Sequence, residues 1–293
     1  MIYKKYNGNS RYVTIPAREM SLSQEVSEPY TTIGVKAFLS HKEIEQLILP
    51  DSITTIEDWA FAHMQQLKEL VLPANPIHFG RKVFLDCNQL RRIQIRPDHS
   101  SNPGLPLFLA DLVTVFSNTD LLNPVLAASE STHAAWMQEY DRLLTHFLKE
   151  NDEAGFEPVF YGWFNDEDPD STQRPTYILT QRAHKVRMTF TRLRYPLFLS
   201  PTCREILQAY MRDHMPWGCK AREHTAVWDL LPEYYAEEVC YYQLLQEADA
   251  LPPEKIPEIL AHLPQASPEV IAWLLRYREQ SGCISDFFDN FTL

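Results

Sequence analysis

Apolar residues recur at a fixed interval of 23 residues between Thr32 and Ile95. Three units each open on an apolar residue, carry phenylalanine five residues later, and carry a further aliphatic residue eleven residues after the opener. In chain order these positions are Ile33, Phe38 and Ile44; Ile56, Phe61 and Leu67; and Phe79, Phe84 and Leu90. Each unit closes on a short alternating run, such as Leu47-Ile48-Leu49-Pro50. A period of this length predicts a solenoid in which each unit forms one rung.

An earlier rung is predicted at Tyr12-Val13-Thr14-Ile15-Pro16, which has the same ending of a short strand followed by proline. Ile15 and the equivalent Leu49 are 34 residues apart, which is 11 more than one period. The first rung therefore carries an insertion, which we place within Ala17 to Tyr30. The Ser, Glu and Pro content of that segment is typical of an exposed loop.

The repeated units resemble the BspA-like leucine-rich repeats of bacteria, over residues of about 11–96. The unit of that family reads roughly Ile-Gly-x-x-Ala-Phe-x-x-Cys-x-x-Leu-x-x-Ile-x-Leu-Pro. The cysteine position is His41, Met64 and Cys87 here, so one unit in three keeps that residue. The resemblance implies a short solenoid with one parallel strand per rung, and it implies binding to other proteins. It covers about a third of the chain.

Charge is distributed unevenly along the 293 residues. Residues 1–99 contain 12 Lys+Arg and 11 Asp+Glu, whereas residues 100–293 contain 15 and 28. The repeats are thus nearly neutral and the remainder is acidic. An acidic surface repels phosphate groups, so we expect neither nucleic acid nor a membrane as a partner.

The expected location is the cytoplasm. The amino terminus has Lys4 and Lys5 but no apolar run after them, so it does not resemble a secretory leader. The most apolar segment, Leu105 to Phe116, is shorter than the roughly 20 residues that cross a bilayer. Five cysteines, widely spaced and never in a C-x-x-C pair, are typical of reduced thiols.

The chain after the repeats shows helical patterns. A polar stretch with proline and glycine, Pro97 to Gly104, marks the boundary. We therefore predict an α+β protein: a leucine-rich-repeat domain of about four rungs at residues 1–100, followed by an all-helical, acidic domain at residues 101–293. A short helix is predicted between Thr119 and Pro124. A longer helix is predicted from Ser131, and another from about Thr176.

Three later helices begin with proline, two of them after a serine that can cap the helix. These starts are Ser200-Pro201, Pro252-Pro253 and Ser267-Pro268. The segments at about 253–263 and 268–279 are predicted to form an antiparallel helical hairpin. It loosely resembles the hairpins of ankyrin-like arrays, although the Thr-Pro-Leu-His turn of ankyrin repeats is missing.

Three clusters in the helical part have ligand-type side chains. Cys203, His214, Cys219 and His224 are residue types that bind zinc, but no two of them have the short spacing of a chelating loop. The acidic loop Asn165 to Asp170 lacks the glycine and the distant glutamate of a calcium loop. Both are better explained as structure without metal. For the basic residues Arg182, Lys185, Arg187, Arg192 and Arg194, ion pairing between helices is favoured over a phosphate site.

Signatures of common enzymes are missing from the sequence. The eight glycines form no G-x-G, no G-x-S-x-G and no phosphate loop, and the ten histidines form no H-E-x-x-H. We therefore predict a non-enzymatic interaction scaffold without cofactor or metal, whose protein partner is unidentified. The alternatives are an enzyme with an unrecognised site and a metal-binding module in the helical domain.

Two packing arrangements follow from the repeats. Because Phe38, Phe61 and Phe84 have the same phase in successive units, they should stack in one internal column. Because a short solenoid needs a cap, the apolar residues of Leu107 to Phe116 should cover the last rung.

The predicted binding face consists of the outward residues of the alternating strands. Alternation directs Val13, Ile15, Leu47, Leu49, Leu70, Leu72, Ile93 and Ile95 into the core. It leaves eight residues on the open face: Tyr12, Thr14, Gln46, Ile48, Glu69, Val71, Arg92 and Gln94. Ile48 and Val71 should lie side by side at its centre as a small apolar contact patch.

Overall fold

The protein is described by a computed structural model over residues 1–19, 28–97, 102–126, 130–156, 169–215 and 237–282. The chain forms two compact units, Met1–Tyr140 and Asp141–Leu293. The first contains two parallel sheets and the second is helical in its described residues, so the predicted α+β class is confirmed.

Each rung contributes two strands, not the single strand that we predicted. One sheet pairs β1, β3, β5 and β7, and the other pairs β2, β4, β6 and β8. In chain order the strands are β1 Ile2–Tyr3, β2 Tyr12–Thr14, β3 Thr32–Ile33, β4 Gln46–Ile48, β5 Thr55–Ile56, β6 Glu69–Pro73, β7 His78–Phe79 and β8 Arg92–Arg96. The strands of the first sheet have two residues each, which is too short for the alternation that identifies a strand in sequence.

The insertion in the first rung lies where it was predicted. Tyr30 donates its backbone N–H to the carbonyl of Ala17, and Arg18 pairs with Pro29 in an antiparallel bridge. The chain therefore leaves the solenoid after Ala17 and returns at Tyr30.

The core of the repeats lies between the two sheets. The inward residues predicted from alternation are buried, except Ile95 at the edge strand, which is half-buried. The predicted phenylalanine column is confirmed, with ring centroids 5.8 Å apart for Phe38 and Phe61 and 5.7 Å apart for Phe61 and Phe84. Tyr6 extends the column into the first rung, because its ring stacks on Phe38 at 5.4 Å.

Successive rungs are also joined by their backbones along a segment that we call the arc. The arcs are residues 34–41, 57–64 and 80–87, and each follows a two-residue strand. Alternate N–H groups of one arc donate to carbonyls of the next rung. Lys36, Phe38 and Ser40 donate to Asp58, Ala60 and Ala62, and Trp59, Phe61 and His63 donate to Arg81, Val83 and Leu85.

Each arc also contains two non-glycine residues with left-handed φ, four positions apart. These pairs are Lys36 and Ser40, Trp59 and His63, and Lys82 and Asp86, with φ between 53° and 61°. The repetition of an uncommon conformation shows that the three arcs share one backbone geometry.

Helices after Arg96 complete the first unit. They are α1 Leu105–Thr114, α2 Asn123–Leu126 and α3 Glu130–Lys149, with the division between the two units falling inside α3. As predicted, α1 packs on β8 and buries Phe108, Leu109, Leu112 and Val113. Tyr140 of α3 donates its hydroxyl to the buried carboxylate of Asp111 on α1, at 3.0 Å. The prediction for α2 was wrong in position, because α2 begins at Asn123, where the predicted helix ended.

The compact units divide at Tyr140, 40 residues after the predicted boundary. The reason is that α1 packs on β8, and the first part of α3 packs on α1, where Tyr140 contacts Phe108 and Asp111. Independent folding of residues 1–100 stays a prediction.

The second unit begins within α3, and its further described helices are α4 Pro169–Arg194, α5 Pro201–His214, α6 Val239–Glu247, α7 Ile256–His262 and α8 Pro268–Gln280. A 3₁₀ turn, Pro253–Lys255, precedes α7. The predicted caps are present, since Ser200 accepts from the N–H of Cys203 and Ser267 accepts from the N–H of Val270. The α7 and α8 segments form the predicted hairpin. The start of α4 was predicted too late, near Thr176.

Candidate functional site

The eight residues predicted to face outward form two continuous rows across one sheet. The register pairs Tyr12, Gln46, Glu69 and Arg92 in one row, and Thr14, Ile48, Val71 and Gln94 in the other. We call this set the outer repeat face. Parallel strands in exact register place equivalent side chains about 4.8 Å apart, so each row is a continuous line of contacts.

The polar residues of the first row interact with one another. Gln46 donates from Nε2 to Oε2 of Glu69 at 2.7 Å, and Nε of Arg92 lies 4.0 Å from Oε1 of Glu69. The Glu69 carboxylate is therefore shared between its two neighbours. This pairing keeps the row ordered and leaves little net charge on it.

A charged row runs beside the first, at the residues that immediately precede β2, β4 and β6. Glu45 lies 3.5 Å from the Arg11 guanidinium and 2.9 Å from the Lys68 ammonium. The hydrogen bond from Lys68 lowers the pKa of Glu45. The row is therefore a chain of ion pairs at neutral pH, and it borders the outer repeat face.

Exposure differs from the prediction at the centre of the face. Tyr12 is 67% exposed and Ile48 is half-buried, but Val71 is 7% exposed. Val71 lies on an inner strand, where Ile48 and Gln94 flank it on both sides, so it is a buried residue and not half of an exposed apolar pair. Ile48 remains the accessible aliphatic residue at the centre of the face.

The helical unit contains a cavity of about 760 Å³ lined by charged side chains. Asp152 lines it and accepts hydrogen bonds from Nε of Arg182 at 2.6 Å and Nζ of Lys185 at 2.8 Å. The Lys185 ammonium is nearly fully buried and also donates to the backbone carbonyl of Glu150. Tyr210 and His214 on α5 stack on each other and contribute to the lining.

Two groups that line this cavity, Asp152 and Tyr210, have pKa values shifted further from neutral pH. Burial acts to raise the pKa of Asp152, but the hydrogen bonds from Lys185 and Arg182 outweigh it, so the pKa is lowered. Burial raises the pKa of Tyr210. A general acid or base needs a pKa near the working pH, so neither group is suited to proton transfer. The cluster acts as an internal ion-pair network.

Four of the five basic residues predicted to pair between helices form ion pairs, and the pair of Arg192 with Asp141 joins α4 to α3. Beyond the Asp152 network, Nη2 of Arg192 donates to Oδ2 of Asp141 at 3.0 Å, with the Arg192 side chain fully buried. Arg194 lies 3.4 Å from the carboxylate of Glu238. The observed pairing supports the structural interpretation of the basic cluster.

The two metal-site candidates are partly testable. Cys219, His224 and the loop Asn165 to Asp168 lie outside the described residues. Cys203 is buried on α5, and burial raises the pKa of its thiol to about 11. Within the described ranges, no group of three or more His, Cys, Asp or Glu side chains is arranged to hold a metal ion.

Comparison with known proteins identifies the repeats. Residues 20–104 match a family model described as "BspA type Leucine rich repeat region (6 copies)". These residues therefore carry BspA-type leucine-rich repeats. The predicted resemblance is confirmed for this part of the chain. No curated protein matches the sequence.

Two solved structures are similar over the same part of the chain, each at 24% identity over 31% of the sequence. One is a leucine-rich-repeat protein of T. pallidum, with a TM-score of 0.28 and 40% of its chain covered. The other is a leucine-rich cell surface protein of Faecalibacterium prausnitzii A2-165, with a TM-score of 0.26 and 26% covered. The chain spans less than half the length of either. Among the described helices, none has both the length and the apolar character needed to cross a bilayer.

Proposed function

We propose that this protein is a non-enzymatic scaffold whose outer repeat face binds a protein partner. The observation that supports the proposal is the pair of continuous side-chain rows across four strands in register. They provide a mixed surface with an exposed aromatic residue, Tyr12, and an aliphatic residue, Ile48, beside ion pairs. Leucine-rich repeats commonly serve in protein interaction, which agrees with such a surface.

Area limits how the partner can bind. Four strands with ladders of about three residues give a face of roughly 150–200 Å², against about 800 Å² per partner in a standard interface. A partner must therefore extend past the outer repeat face. The neighbouring row of Arg11, Glu45 and Lys68 is the adjoining surface that it would contact.

The proposed setting is the cytoplasm. Its support is that Cys87, Cys203 and Cys240 are free thiols, as expected where glutathione keeps cysteines reduced. Cell fractionation of the native host tests this setting. Recovery in the secreted or surface fraction would contradict it.

Quantitative affinity capture with matched variants tests the scaffold. Ile48→Glu places a charge at the centre of the outer repeat face. Leu179→Glu makes the same type of change at a residue of the helical unit that is 47% exposed. Val71 is unsuitable as a site of substitution, because a charge at a buried position would disturb folding. Circular dichroism and thermal unfolding confirm that both variants are folded.

We expect the wild type and the Leu179→Glu variant to capture the same protein in equal amounts. The Ile48→Glu variant should capture at least tenfold less of it. Equal capture by all three chains would move the binding surface away from the repeats. If the wild type captures nothing beyond what an unrelated acidic protein captures, the scaffold proposal is wrong.

A further inference from the structure

The last arc, residues 80–87, leaves the hydrogen-bond ladder of the solenoid incomplete. In each earlier arc, three alternate N–H groups donate to the following rung at 2.7–3.1 Å. The equivalent donors of the last arc are Lys82, Phe84 and Asp86. Within the described part of the chain, none of these three N–H groups has an acceptor. The carbonyl of Phe79, equivalent to that of Ile56, likewise receives no described hydrogen bond.

The direction of these donors is set by the repeat. Lys82 and Asp86 have the same left-handed φ as their equivalents in the two earlier arcs. Because the ladder runs from the donors of one rung to the carbonyls of the next, the three N–H groups point out of the end of the stack. They form a regular row of donors at alternate residues, which matches the alternate carbonyls of a further arc-shaped backbone and not an isolated anion.

The cap covers the other strand of this rung and leaves the arc accessible. Helix α1 packs on β8. The arc instead borders a groove of about 620 Å³, lined by Phe79 and Phe84 on the rung and by Val113, Ser117 and Asp120 on the opposite wall. Phe84 is 6% exposed, whereas Phe38 and Phe61 are fully buried. The aromatic column therefore ends at this groove.

We propose that this groove binds a peptide segment of a partner protein, which adds to the stack as a further arc. Between the last two rungs, Gly80 donates its N–H to the carbonyl of Ile56, and the carbonyls of residues 81, 83 and 85 accept from the N–H groups of the preceding arc. The equivalent peptide therefore spans six residues. Its first N–H meets the carbonyl of Phe79, and its second, fourth and sixth carbonyls meet Lys82, Phe84 and Asp86. An apolar side chain at its fifth position continues the column.

A second copy of this chain fits less well. Its carbonyls in the later arcs are occupied by the ladder, so its first rung would have to supply the acceptors. In that rung Tyr3 and Tyr6 are three residues apart, whereas the equivalent residues of the later rungs are five apart. Its described donor to the following arc is the N–H of Tyr6, which donates to the carbonyl of Ala37. A shortened arc does not match three donors. This surface is separate from the outer repeat face of the proposed function.

The test uses the full chain labelled with ¹⁵N and a capped synthetic peptide of residues 79–87. The peptide contains the carbonyls that accept in the ladder, and it carries Cys87→Ser to prevent oxidation. Amide exchange of individual residues is followed by NMR as the peptide is added. Control peptides are a scrambled sequence and the Phe84→Ala peptide.

We expect exchange at Lys82, Phe84 and Asp86 to slow by at least tenfold at saturating peptide. Arg81 and Leu85 should not change, because their N–H groups already donate to Asp58 and to Lys82. The scrambled peptide should give no protection and the Phe84→Ala peptide weaker protection. The Ile48→Glu variant should bind the peptide normally, which separates this result from that of the proposed function.

Three results would overturn the proposal. The first is unchanged exchange at the three amides with millimolar peptide. The second is equal protection by the scrambled sequence. The third is protection that rises with protein concentration without peptide, which would make a second copy the occupant.

Discussion

The repeat unit and the helical unit are stabilised by different interactions. Among the described residues of 1–97, no charged side chain is buried, and the core consists of apolar residues in vertical rows. In the helical unit, Asp141, Lys185 and Arg192 are buried with charges paired. The side-chain core of the repeats is therefore stabilised by apolar burial, whereas the helical unit combines apolar burial with buried ion pairs.

The two kinds of core also differ in how far apart their contacts are in sequence. Phe38, Phe61 and Phe84 contact partners one period away. Arg192 reaches Asp141 across 51 residues. Each ring of the column contacts a ring of the adjacent rung, whereas the buried ion pair joins α3 to α4. The predictions below test this contrast by amide exchange of the full chain, which reports the stability of each unit separately.

The largest effect is expected for the centre of the aromatic column. Phe61→Ala should lower the free energy of unfolding of the repeats by about 3–5 kcal/mol, because a fully buried phenylalanine leaves a cavity between two neighbouring rings. Exchange in the helical unit beyond Asp141 should be unaffected. Phe61→Leu, which keeps most of the volume, is the control and should cost less. A loss below about 1 kcal/mol for the alanine variant would contradict the column.

The buried ion pair should give an effect of similar size in the other unit. Asp141→Asn leaves the Arg192 charge buried and should destabilise the helical unit by about 3–5 kcal/mol. The double variant Asp141→Leu with Arg192→Met should recover most of this loss, because it removes both charges. Glu45→Gln, at an exposed ion pair, is the matched control and should have little effect. Equal losses in the single and double variants would show that the charge is not the cause.

Acid should destabilise the helical unit through Asp152. The folded-state pKa of Asp152 is below its ordinary value of 3.8. The stabilisation is therefore present above that value and is lost as pH falls through the lower, folded-state pKa. Asp152→Asn should make the pH dependence of stability of the helical unit shallower below about pH 4 and leave that of the repeats unchanged. An identical acid transition in the variant would exclude this group.

The smallest effect is expected at the helix caps. Ser200→Ala and Ser267→Ala should each cost about 1 kcal/mol, since each serine accepts a hydrogen bond from the first turn of its helix. Aspartate at either position should preserve stability because it is also a good cap. If alanine and aspartate behave alike in thermal unfolding, the caps do not contribute.

The repeats were largely predictable because one period fixes many positions at once. The phenylalanine column and the inward aliphatic residues follow from phase, and the α1 cap follows from the need of a short solenoid for a covered end. Tyr6 was missed, since the first arc is two residues shorter and the residue is tyrosine. The second sheet was missed because two-residue strands carry no pattern. A repeated Ile, Ile and Phe at the openers was the signal that could have revealed it.

The helical unit was predictable in its starts and not in its packing. Serine followed by proline identified α5 and α8, because capping is a local interaction. The pairing of Arg192 with Asp141 depends on which helices meet, and no spacing in the sequence encodes that. The burial of Val71 was missed for a related reason: alternation gives the side of a strand, whereas exposure also depends on the neighbours across the sheet.

The ladder between the arcs gives the solenoid a polarity. Along the arcs, alternate N–H groups donate toward the carboxyl-terminal end and alternate carbonyls accept from the amino-terminal side, so an inserted unit of the same phase meets matching groups on both sides. A tandem duplication of residues 56–78 would therefore lengthen the stack by one rung without leaving a backbone group unpaired inside it. Repeat number can thus change during evolution while the terminal cap stays the same.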